Sequence, residues 1–197
     1  MKLDIILAGV GGQGVLSVSA VIAGATARLG WNVKQSEVHG MAQRGGAVLA
    51  HLRMADEPVY SDLIPRGGAD LILSLEPMES LRYLEYLSPT GTIATDTHPV
   101  RNIDDYPDLD RLLETVRSTG TAILVEATSL ARQAGNVKAA NMVMVGVVAH
   151  LLPVTEDALI SEIQSTFARL GDKALEANLK AFQLGRTACA KSTANPA

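Results

Sequence analysis

The first patterned stretch of the chain is Leu3-Asp4-Ile5-Ile6-Leu7-Ala8, a short apolar run that predicts a buried strand. A glycine turn follows, Gly9-Val10-Gly11-Gly12-Gln13-Gly14, and then Val15 to Leu29, small and apolar, predicts a helix that Gly30 caps. Trp31 to Ser36 predicts a second strand. Strand, turn, helix and strand together are the opening of a parallel doubly wound sheet. Glu37 to Gly46 has no clean period and predicts a loop. Ala47 to Met54 alternates, with Leu49, His51 and Arg53 on one face, and predicts a third strand. Asp56-Glu57-Pro58 is a turn from which Val59-Tyr60 is expected to pair back as a hairpin.

Asp70 to Leu75 is the next strand. Pro77 suits the first turn of a helix, and Met78, Leu81, Leu84 and Leu87 carry that helix to Leu87 at helical spacing. Pro89-Thr90-Gly91 breaks it, and Thr92 to Asp96 is a short strand. Thr97 to Asp108 is irregular. Leu109, Leu112, Leu113 and Val116 mark one more amphipathic helix, and Thr121 to Val125 one more strand. From Glu126 on only helices are expected: Ala127 to Ala134, Lys138 to Leu152, Glu156 to Leu170 and Asp172 to Lys191. The expectation is a three-layer α/β domain with a doubly wound, mostly parallel sheet over residues 1–126. A helical C-terminal part follows over 127–190, able to cover a sheet edge or a partner, and residues 191–197 form a disordered tail.

Composition narrows the function classes. The chain has 197 residues, enough for one domain with a real core, and only 4% are aromatic, so that core must be aliphatic. A net charge of −4 excludes the basic stripe of a nucleic-acid surface. Cys189 is the single cysteine, so neither an intrachain disulfide nor a Cys-x-x-Cys metal or iron–sulfur site forms from this chain. The start lacks a signal-peptide pattern, and a cytoplasmic protein is expected. Ile5 to Ala27 is free of charge, but its glycines, Gln13 and hydroxyl residues argue against a membrane span. Asn141 to Leu152 is apolar but too short for the roughly 20 residues a span takes.

The glycine turn has chemical uses. Glycine permits sharp bends and close approach of another surface, and amides at a helix start favour negative charge. Gly9, Gly11 and Gly14 fit G-x-G-x-x-G, and Glu37 stands near the place of the ribose-binding acid. A free-standing NAD(P)- or FAD-binding oxidoreductase is therefore one reading. A tight turn without ligand is a second, and a surface for another chain, using Gly12 and Gln13, a third. In Gln43-Arg44-Gly45-Gly46 the guanidinium suits phosphate or carboxylate. It equally suits an ion pair with Glu37 or Asp62. Arg66-Gly67-Gly68 reads as a tight turn. Among four histidines only His39 lies in a functional-looking loop, and His150, in an apolar helix, is expected to pack in the core or an interface. Asp104, Asp105, Asp108 and Asp110 lack calcium-loop spacing and read as a solvated face. With no Walker lysine and no nucleophile elbow, the chain has no self-contained catalytic set. A regulatory module for a phosphorylated metabolite is a further, plainer reading.

Taken together, the glycine turn and the run Ser36-Glu37-Val38-His39-Gly40-Met41-Ala42-Gln43-Arg44-Gly45-Gly46 resemble the gamma-type domain of 2-oxoacid:ferredoxin oxidoreductases. Tyr60 to Asp70, Leu75-Glu76-Pro77, and Asn141 with its apolar helix share the likeness, which runs from about Leu3 to that helix. The resemblance implies an accessory subunit, inactive alone and exposing a partner surface, so that self-association in isolation is expected. A large partner would carry thiamine diphosphate and 4Fe-4S clusters. The complex would decarboxylate an aryl-2-oxoacid oxidatively to an acyl-CoA, with coenzyme A as co-substrate and ferredoxin as acceptor. No cofactor is then bound tightly by this chain. The resemblance carries a cleft-lining role to Gly11, Gly12, Gln13 and Gly14, to His39, Gly40, Met41, Gln43, Arg44, Gly45 and Gly46, and to Arg66, Gly67 and Gly68. Arg44 is the expected contact for coenzyme A.

Overall fold

The computed structural model describes residues 1–40 and 45–193, without the side chains of His39 and of residues 190–193. The apolar run forms β1 (Lys2–Val10), from Asp4 onward buried throughout. It is a central strand: Ile5 and Leu7 face one core, Ile6 the other. After α1 (Val15–Arg28) come β2 (Asn32–His39), β3 (Ala47–Ala55), β4 (Ala69–Ser74), α2 (Pro77–Arg82), β5 (Leu87–Asp96), α3 (Leu109–Ser118) and β6 (Thr121–Val125). Then follow α4 (Ala127–Ala134), α5 (Ala140–Val148), α6 (Glu156–Phe167) and α7 (Asp172–Thr193).

The six strands lie in the order β2-β3-β1-β4-β5-β6. The pairs β1–β4, β4–β5 and β5–β6 are parallel, whereas β3 is antiparallel to both β1 and β2. The mostly parallel, doubly wound α/β sheet is thus present, with one departure. β2 does run parallel to β1, but β3 is inserted between them. The hairpin of this region is β2–β3, closed through residues 40–46. Val59-Tyr60 is not a strand and makes no hairpin.

Two more expectations change. The helix after Pro77 stops at Arg82; Leu84–Tyr86 is a single tight turn, and Leu87 already begins β5. Pro89-Thr90-Gly91 therefore lies inside a strand, where the β4–β5 register shifts between Ala69 and Leu71. An irregular pairing is a place that tolerates proline and glycine. With α1 the late helices build the layer on one face of the sheet, where Leu159, Ile163, Val143, Val147 and Phe182 join Leu7, Leu52 and Leu73 in one core cluster, α6 packing on α1 and α7 on α5. α2 and α3 make the thinner layer on the other face, around Ile6, Ile72, Ile93, Leu112 and Val116. The helix α7 runs on to Thr193, past the start of the expected tail; residues 194–197 lie outside the described residues. Among the described residues no helix is long and apolar enough to cross a membrane.

Candidate functional site at the carboxyl edge of the sheet

Parallel strands bring their carboxyl ends to one edge, and there the glycine turn lies between β1 and α1. Gly14, at φ 84°, precedes the helix, and its carbonyl receives the amides of Ser17 and Val18. A Cβ on Gly14 would come within 2.5 Å of the Asn141 amide nitrogen, and one on Gly9 within 2.8 Å of Val15. These glycines therefore let α1 and α5 close on the end of β1.

In a doubly wound sheet, ligands enter where the chain switches sides, here between the carboxyl ends of β1 and β4. Gln13 fills that place. Its Oε1 accepts the Val10 amide at 2.7 Å, and its Nε2 donates to the Leu75 carbonyl at 2.7 Å. One side-chain amide thus ties the end of β1 to the residue after β4, across the switch point. The ribose-side acid is misplaced. Glu37 pairs with Ala50, and Ala50 with Leu7, so Glu37 stands two strands from β1, about 10 Å away. The insertion of β3 is the physical reason.

Gly45 and Gly46 join the same edge. The Gly11 amide donates to Gly46 O at 2.8 Å, the Gly40 amide to Ala47 O at 3.0 Å, and Asn102 Nδ2 to the Gly45 carbonyl. His39 ends β2 opposite Val48; its side chain, and Met41, Ala42, Gln43 and Arg44, lie outside the described residues. Arg66-Gly67-Gly68 does not meet this group. It precedes β4 at the opposite edge, about 20 Å off at the strand rise, as a turn in which Arg66 pairs with Glu85 at 3.0 Å.

Asn141 and Glu76, which carried the resemblance, and several residues that sequence reasoning passed over complete the edge. A cleft of about 220 Å³ beside Gly12 and Gln13 is lined by Asp96, His98, Thr128, Arg132, Lys138 and Asn141 among others. Asp96 is buried at the end of β5. Its carboxylate accepts from Thr128 Oγ1 (2.6 Å), the Thr128 amide (3.2 Å) and the His98 amide (3.1 Å). Burial raises its pKa, and the Thr128 bonds oppose that rise. An acid ending a parallel strand was the available signal. Glu76, fully buried, accepts from the amides of Glu79 and Val100 and from the Tyr106 hydroxyl. It thereby pins the 97–108 loop across this edge. His150 is exposed, which removes the core from its two expected places and leaves the interface open; among the described residues the buried histidine is His51, whose Nδ1 accepts the Ile64 amide and whose ring stands edge-on to Tyr86. Among the described residues no three His, Cys, Asp or Glu side chains group to hold a metal.

Fold and edge together define a doubly wound α/β subunit in which Gln13 bridges the two strand ends at the switch point. The chain belongs to the pyruvate ferredoxin/flavodoxin oxidoreductase family, whose model matches residues 4–188. It is 39% identical over 194 residues to the indolepyruvate oxidoreductase subunit IorB of Archaeoglobus fulgidus, covering 94% of each chain. Two solved structures, each 23% identical, share the fold. One is the gamma subunit of a keto/oxoacid ferredoxin oxidoreductase from Geobacter sulfurreducens (TM-score 0.71; 96% of this chain, 99% of that one). The other is a 2-oxoglutarate:ferredoxin oxidoreductase from Magnetococcus marinus with 2-oxoglutarate, coenzyme A and succinyl-CoA bound (TM-score 0.78; 96% of this chain, 31% of that one). The chain accordingly stands among the accessory subunits of 2-oxoacid:ferredoxin oxidoreductases.

Proposed function

We propose that this chain is the accessory subunit of an indolepyruvate ferredoxin oxidoreductase and completes the active-site cleft of a large partner subunit. The observation that carries the substrate is the 39% identity to an indolepyruvate oxidoreductase subunit over 94% of both chains. Thiamine diphosphate in the partner supplies the chemistry of decarboxylation, and 4Fe-4S clusters there carry electrons to ferredoxin. Cluster ligation draws on several thiolates. This chain has only Cys189, whose thiol burial pushes upward in pKa, so its residues do not fit a cluster. Its own part is to present a rigid edge. Gln13 ties β1 to Leu75, Glu76 pins the 97–108 loop, and Gly45 and Gly46 stand beside the glycine turn; Arg44, outside the described residues, is the proposed contact for coenzyme A.

The test is co-expression with a cysteine-rich, thiamine-binding large subunit and anaerobic assay of the purified complex. Ferredoxin reduction that requires coenzyme A, with kcat/KM higher for indolepyruvate than for pyruvate or 2-oxoglutarate, is the expected result. Preference for another 2-oxoacid overturns the substrate. Turnover of NAD(P) by this chain alone overturns the accessory role. In isolation the chain is expected to self-associate through its uncovered partner surface, and a monodisperse monomer in light scattering contradicts that.

A further inference from the structure

The buried Glu76 carboxylate holds the 97–108 loop at two points, the Val100 amide at 3.2 Å and the Tyr106 hydroxyl. Arg101 stacks over the Tyr106 ring, 5.8 Å from its centroid. Between these anchors sits Asn102. Its amide nitrogen donates to the Gly45 carbonyl across 57 residues of sequence, and its own backbone amide donates to Val100 O at 2.9 Å. Gly45, at φ 80°, leads into Gly46, whose carbonyl takes the Gly11 amide. A continuous path of bonded groups therefore runs from a buried carboxylate, through the loop, to the hairpin tip and into the glycine turn. Gly45 and Gly46 lie outside the paired stretch that His39 and Val48 close, and a glycine-rich segment loses the most freedom when fixed.

We propose that Asn102 is a positioning residue for the reaction of the complex: it fastens Gly45 and Gly46 in register on the glycine turn. This rests on the accessory-subunit reading given above. The substitution Asn102→Asp keeps the shape and removes the donor, so the Gly45 carbonyl meets a carboxylate instead of an N–H. The variant Asn102→Gln keeps a donor on a longer arm.

Two measurements test it. In the full chain alone, hydrogen exchange of the Gly11 amide is expected to speed up about tenfold in Asn102→Asp, with the β1 amides Ile5 to Leu7 unchanged; a loosened contact raises exchange locally. In the assembled complex the same variant is expected to raise the KM for coenzyme A about tenfold with kcat within about twofold, and Asn102→Gln to recover part of it. Unchanged Gly11 exchange overturns the fastening. Faster exchange with wild-type kinetics overturns the positioning role. A wild-type complex that does not oxidise any 2-oxoacid overturns the accessory reading instead, and the exchange measurement still decides the fastening.

Discussion

Gly146 of α5 and Gly185 of α7 mark one helix crossing, each lying against the backbone of the other's helix. A Cβ on Gly146 would stand 2.1 Å from Phe182 O, and one on Gly185 2.0 Å from Val143 O. Both obstacles are main-chain atoms, so neither helix yields by turning a side chain. Gly146→Ala and Gly185→Ala are each expected to destabilise the protein by about 3 kcal/mol, at the upper end of overpacking effects. The gain of about 1 kcal/mol from alanine's better helix propensity is too small to reverse the sign. Urea unfolding checks this, and unchanged midpoints would show that the helices part freely.

Gln13→Ala removes the acceptor for the Val10 amide and the donor to Leu75 O together. Each group left unpaired in a partly buried place costs about 1–3 kcal/mol. A loss of about 2–4 kcal/mol in unfolding free energy is expected. Calorimetric titration of the variant with NAD is expected to show no tight binding, because Glu37 remains two strands away. Tight binding would mean that Gln13 alone had blocked a dinucleotide site.

His51 gives a pH dependence on the acid side. Burial is the first cause lowering its pKa from the usual 6.5, with Arg53 in the same direction and Asp62 opposing. The unfolded chain then binds this proton more readily than the folded one. The His51 contribution is fully present above about pH 6.5 and is lost as pH falls below it, because protonated Nδ1 no longer accepts the Ile64 amide. His51→Gln should flatten the slope of unfolding free energy between pH 7 and 5. An unchanged slope would assign that window to other groups.

Asp96 has the opposite sign. Its folded pKa lies above the ordinary 3.8, chiefly through burial, so its contribution is complete below that value and declines as pH rises through the folded pKa. Thr128→Val deletes the 2.6 Å hydroxyl bond that restrains the shift. The Asp96 carboxyl, followed by carbon NMR, is expected to titrate higher still, and the variant to lose more stability near pH 7 than near pH 4. A carboxyl that titrates lower in Thr128→Val would contradict the role of that bond.

The sequence was most legible where one element decides its own surroundings. Leu3 to Ala8 reads as a buried strand because both sides of β1 are covered, and Pro77 marks a helix start because its ring suits the first turn. Neighbours in space were not legible. Nothing in the alternation of Ala47 to Met54 says that β3 enters between β1 and β2, since period two reports a face and not a partner. Leu87 fits a helical spacing with Met78, Leu81 and Leu84, yet begins β5, where the bulge beside Ala69 excuses Pro89 and Gly91. At the candidate edge the glycines stood out by type, whereas Asp96 with Thr128, and Asn102 with Gly45, are polar pairs 32 and 57 residues apart and carry no local mark.

The inserted strand also sets a kinetic problem for the growing chain. β1, α1 and β2 are made first, and on their own they complete a crossover that invites β1 and β2 to pair side by side. The native sheet keeps a strand's width open between them for β3. Closing the β2–β3 hairpin is a local event of about 1–10 μs, while joining β1 to β2 across α1 closes a longer loop. The hairpin is therefore expected to close before β1 and β2 can pair. Val38→Ala, which weakens the hairpin near the end of β2, should slow folding more than unfolding is hastened. On this expectation the strand that carries Gly45 and Gly46 to the candidate edge also keeps β1 from closing on the wrong neighbour.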